Sequence, residues 1–118
     1  MKAPASFDSM VEQRMHELRV LASKYAKAQA ERIYLEQFRQ SKKAQLMKQA
    51  ESLGTTAVGA QERDAYAHPD YVELLEGLRV ATEEAERLRW ELEISRMRID
   101  LWRTQQATER AERRGYGA

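Results

Sequence analysis

The stretch YVELLEGLRVATEEAERLRWELEISRMRIDLW, residues 71–102, decides the fold. Stepped through with alternating gaps of three and four residues, it meets Tyr71, Leu74, Leu78, Ala81, Ala85, Leu88, Leu92, Ser95, Ile99 and Trp102. Nine of these ten are apolar, and the tenth is small. A 3.5-residue period held over more than four heptads predicts one long helix with a partner helix along its length. No Gly or Pro interrupts it between Gly77 and Gly115. Such a chain is poorly suited to enclosing a catalytic pocket, so binding or assembly is the expected role.

Working outward, His68-Pro69-Asp70 marks the start of this helix. Proline pushes the residue before it away from helical angles, fits the first helical position itself, and is followed here by Asp70 and Glu73, which suit the positive end of the dipole. Arg110, Arg113 and Arg114 suit the other end, so the helix is expected over about 69–113. Upstream, Ser9 and Glu12 have capping-box spacing and nothing breaks the chain until Leu53-Gly54. That predicts a first helix over about 10–53, roughly 65 Å long at the standard rise. Residues 55–59 read as a connector and 60–67 as a short helix. The expected architecture is all-α, a long antiparallel helical hairpin with a short connecting helix and coiled-coil-like packing, oligomeric. Residues 10–114 form one domain in this reading, with a disordered tail at 1–9 and a flexible end at 115–118.

Composition agrees. The 118 residues are 33% charged, with only five Gly and two Pro. There is no Cys, which excludes a disulfide framework and a thiolate metal site. No apolar run approaches the roughly 18 residues of a membrane span, and Met1 to Ser9 lacks an apolar signal core. A soluble protein of the cytoplasm, without membrane contact, is expected. The net charge is only +1, but it is unevenly spread. Arg14 to Lys48 holds nine Lys or Arg, Glu62 to Glu93 holds ten acidic residues against four Arg, and Arg96 onward holds six Arg against three acidic residues. Either the basic segments form a cationic surface, or the segments neutralise one another within a hairpin or between subunits.

The second long helix carries a further stripe at Trp90, Ile94, Met97 and Leu101. A helix apolar on two sides needs cover on two sides. The first helix supplies one, and a second subunit is expected to supply the other. Leu88, Trp90, Leu92, Ile94, Met97, Ile99, Leu101 and Trp102 are the candidate intersubunit residues. The first helix is less regular. Leu18, Leu21, Tyr25, Ala28, Leu35, Leu46 and Leu53 share a seam that is interrupted by Arg32, Arg39, Lys42 and Gln49. Either the phase drifts, as Phe38 beside Arg39 suggests, with long stems snorkelling to water, or this stretch faces a polyanion.

Catalytic chemistry is hard to find. His16 and His68 lie in different elements, and no phosphate loop, zinc-binding helix motif or nucleophile elbow occurs. No enzymatic activity, cofactor or metal is expected. Nucleic-acid candidates are concrete. Lys24, Lys27, Arg32, Arg39, Lys42, Lys43 and Lys48 place seven cations in 25 residues, interleaved with Tyr25, Tyr34 and Phe38. Cations neutralise phosphates and rings stack on exposed bases, a pairing that suits single strands, although core packing is the competing role for each ring.

The run around Tyr25, Tyr34-Leu35, Phe38, Lys42-Lys43 and Leu46 resembles UvsY-type recombination mediators of tailed phages. So do the basic-to-small transition Lys48 to Gly54 and the stretch Ala65 to Leu78 leading to Trp90, Arg96 and Arg98. The resemblance covers about Ala22 to Ala107. It implies a small oligomeric helical hairpin that binds single-stranded DNA and helps load a RecA-like recombinase, with a single-strand-binding protein as a further possible partner. By matching position, the DNA-contacting region falls on Lys42, Lys43 and Lys48. The acidic middle departs from that pattern. Two rival expectations stand beside it: a scaffold or assembly coiled coil without nucleic acid, and a regulator that binds a host protein through the acidic face.

Overall fold

A computed structural model describes residues 7–117. They form three helices and, among the described residues, no strand: α1 (Phe7–Ser52), α2 (Val58–Ala67) and α3 (Pro69–Gly117). This is the all-α hairpin that the periodicity predicts. Two boundaries differ. α1 begins at Phe7, so the expected start at Met10 is three residues late and Ser9 sits inside the helix. α3 continues through Gly117, four residues beyond Arg113. Propensity does not account for either extension, since Phe7, Asp8 and Ser9 at one end and Gly115, Tyr116 and Gly117 at the other are modest or poor helix formers. The remainder of the expected tail, residues 1–6, and Ala118 lie outside the described residues.

The turn that makes the hairpin is local. Gly54 adopts φ +105, the left-handed region that L side chains avoid. Gly54 N–H then donates to Glu51 O at 3.0 Å and Thr55 N–H to Ala50 O at 3.0 Å, so two terminal carbonyls of α1 are satisfied. The buried Gln61 of α2 donates its amide to Thr55 O at 2.8 Å, which fixes α2 against the connector. His68 is extended, and its Nδ1 accepts from Asp70 N–H at 3.0 Å, capping α3 with a side chain.

The contacts fall into two compact units. Among the described residues, one joins those through 25 with those from 87 onward; the other comprises 26–86. In the 26–86 unit, Leu46, Ala65 and Tyr71 bring one residue from each helix into a buried cluster, with Met47 packed against it. Ala50 and Ala85 are buried in the same unit. In the other unit the buried residues are Leu88 and Leu92.

All ten positions of the 71–102 seam are buried or half-buried. The first-helix seam does drift. Phe38 is half-buried while Arg39 is exposed, and Ala50 is buried while Gln49 and Leu53 are exposed. Leu53 reaches 78% exposure, the highest among the described large apolar side chains. A straight 3.6-residue helix slips against a strict 3.5-residue pattern, and the slip carries Arg39 to water.

Candidate nucleic-acid interface

Within the 26–86 unit, the predicted cations divide into two groups. Lys27, Arg39 and Lys48 are exposed and have no ion pair among the described residues. Lys42 and Lys43 are half-buried and engaged with the other helices. Lys42 Nζ lies 3.7 Å from Asp70 Oδ2 of α3. Lys43 Nζ donates to Glu62 Oε1 of α2 at 2.6 Å. That hydrogen bond holds the Lys43 ammonium above the usual lysine range and the Glu62 carboxyl below its ordinary value. The same ammonium sits 4.6 Å from the centroid of the Tyr66 ring. These two lysines therefore tie α1 to α2 and α3 and share their charge with carboxylates of this chain. They fall on the drifting seam, where any long side chain meets the facing helices first.

Arg32 stays on the seam, half-buried, with Nε enclosed and without a hydrogen-bond partner among the described residues. It does not present its charge openly, as the site reading required. Lys24 is exposed on α1. Tyr34 and Phe38 stack on each other one helical turn apart, with centroids 5.9 Å apart and planes within 10°. Phe38 is half-buried, whereas Tyr34 keeps 60% of its surface exposed. Tyr34 is thus the one ring of this pair with a face broadly open to a base.

A second aromatic is added by the fold. Tyr66 of α2 packs edge-on to Tyr71, centroids 5.3 Å apart, and remains exposed on its other side. Tyr66, Lys43, Gln40 and Arg39 line a groove of about 680 Å³ with Met47 and Tyr71 at its side. Sequence reasoning missed Tyr66 because the short helix expected over 60–67 was given no functional residue. Its neighbour Lys43 is 23 positions away in sequence, and only the connector geometry joins them. Among the described residues no cluster of His, Cys, Asp or Glu is arranged to hold a metal ion. No helix is long and apolar enough to cross a membrane.

The eight candidate intersubunit residues also divide. Leu88 and Leu92 are buried by the chain's own fold, and Ile99 and Trp102 are half-buried in a groove shared with Val11 and Met15 of α1. Their cover is intramolecular, because they belong to the main seam. Trp90, Ile94, Met97 and Leu101 remain 54%, 46%, 58% and 61% exposed. Arg89 lies over the Trp90 ring at 4.9 Å. The outward stripe is four residues long and follows gaps of four, three and four.

Comparison of the chain with protein-family models, with curated proteins and with solved structures finds no match.

Proposed function

We propose that this chain is a non-enzymatic, oligomeric accessory factor that binds single-stranded DNA in the cytoplasm and helps load a RecA-like recombinase, as the resemblance to UvsY-type mediators implies. The observation that carries the reading is the groove in the 26–86 unit, which exposed Arg39 and Tyr66 line together with the Lys43 ammonium that lies over the Tyr66 ring. Arg39, Lys27 and Lys48 hold the phosphate backbone. Tyr66 and Tyr34 offer rings for stacking, which tolerates any base sequence. Lys43 contributes through its place over the ring, not as a free charge. The stripe Trp90, Ile94, Met97 and Leu101 joins copies of the chain, so that several such grooves act on one strand and gain avidity.

Anisotropy of a labelled thymine oligonucleotide tests this. Arg39→Glu and Tyr66→Ala are each expected to weaken binding about tenfold, the loss of one charge contact or one stacked base. Unchanged affinity in both variants removes the groove from the site.

A second reading is favoured by the ion pairs of Lys42 with Asp70 and Lys43 with Glu62, which consume two of the seven candidate cations internally. In it the chain is an assembly or scaffold protein that uses the apolar stripe alone, without nucleic acid. Retained self-association with no oligonucleotide binding selects it.

A further inference from the structure

The unit formed by residues through 25 and 87 onward contains a groove that the nucleic-acid reading does not use. It holds about 420 Å³ between the start of α1 and the later part of α3. Its floor is apolar, formed by Met15 of α1 and by Ile99 and Trp102 of α3, all half-buried. Its rim carries Arg14, Arg98 and Arg103, all exposed, and among the described residues no acidic side chain lines it. Arg14 is shared with Glu17 at 3.2 Å. Arg98 and Arg103 have no ion pair among the described residues.

We propose that this groove docks an acidic peptide segment of a partner protein, one that carries a bulky apolar side chain beside its carboxylates. Charge sign selects the partner: a rim of three guanidinium groups attracts carboxylates and repels a basic segment. Guanidinium also matches carboxylate geometry in paired hydrogen bonds, which gives the contact direction. The floor chooses a peptide over a nucleic acid. Thioether and branched aliphatic groups adapt to apolar side chains, as methionine-lined peptide grooves do, whereas a base would need an open ring and Trp102 is half-covered. Docking is independent of the oligonucleotide groove in the other unit, so each can fail without the other.

The test uses the full chain and a fluorescein-labelled peptide of consecutive aspartates ending in two phenylalanines. Binding by anisotropy is expected, weakened at least tenfold in the Arg98→Glu, Arg103→Glu double variant. Replacing the phenylalanines with serines, or the aspartates with lysines, is expected to weaken it by a similar factor. Both arginines are exposed, so helicity by circular dichroism should persist; if it falls, the Arg98→Ala, Arg103→Ala pair is read instead. Equal binding of the serine peptide, or full binding by the arginine variants, overturns the proposal. Displacement of the peptide by a thymine oligonucleotide also overturns it, in favour of a nucleic-acid surface.

Discussion

Ile94→Asp is the most informative single change. Ile94 is 46% exposed on the outer face of α3, so the isolated chain has little reason to resist the substitution. If a second copy covers the stripe, the arithmetic changes. Full burial of an isoleucine contributes about 1.5–3 kcal/mol, and covering the exposed half contributes about 1 kcal/mol per copy. Aspartate loses that and places a polar group in the seam, at a further cost of about 1 kcal/mol or more per copy. For a symmetric pair the sum is about 4 kcal/mol, close to a thousandfold in dissociation constant. Sedimentation velocity at micromolar concentration reads the mass, and circular dichroism reads the helix. The parent is expected to sediment as an oligomer and the variant as a monomer, with equal helicity. Full mass in the variant, or a parent that is monomeric at every attainable concentration, refutes the stripe as an intersubunit surface.

The remaining expectations are local. Leu88, at 3% exposure, is core, so Leu88→Ala should lower stability by about 2–4 kcal/mol in denaturant unfolding, far more than a change at an exposed leucine. Gly54→Ala should cost about 1 kcal/mol, because φ +105 strains any side chain even though open space surrounds the site. Gly77→Ala, inside α3 with equally open space, should instead stabilise by about 0.5–1 kcal/mol, and thermal unfolding separates the two signs. The Lys43–Glu62 contact should be fully present between about pH 4.5 and 10.5. Glu62 is depressed on folding, so its share is lost as pH falls through the lowered value; Lys43 is raised, so its share is lost as pH rises through the raised value. The difference in melting temperature between parent and Glu62→Gln should therefore shrink as pH falls below about 4.5, and a difference that does not change with pH there would contradict the assignment.

Most of the hairpin was legible because residues 71–102 repeat one physical instruction ten times. His68-Pro69 and Gly54 are equally plain, since each enforces a backbone state that few residues adopt. The helix ends at Phe7 and Gly117 were not legible, because the residues there are modest or poor helix formers. The seam of α1 was readable only as an ambiguity. Phe38 and Arg39 are adjacent, and which one faces inward depends on accumulated helical phase. That same phase decided the site. It turned Lys42 and Lys43 toward Asp70 and Glu62, carboxylates whose positions depend on a connector that periodicity does not describe. Tyr66 was invisible for the same reason. The outward stripe at Trp90, Ile94, Met97 and Leu101 was legible, because it needs only the geometry of one helix.

The salt dependence of oligonucleotide binding reaches the central claim most directly. With Lys27, Arg39 and Lys48 as the phosphate contacts of each subunit, log affinity per site should fall against log salt with a slope near about −2, the value for three phosphates on a single strand. Arg39→Glu should flatten that slope. No binding at about 50 mM salt, or binding that ignores salt altogether, would contradict a phosphate-holding surface and leave assembly as the chain's role.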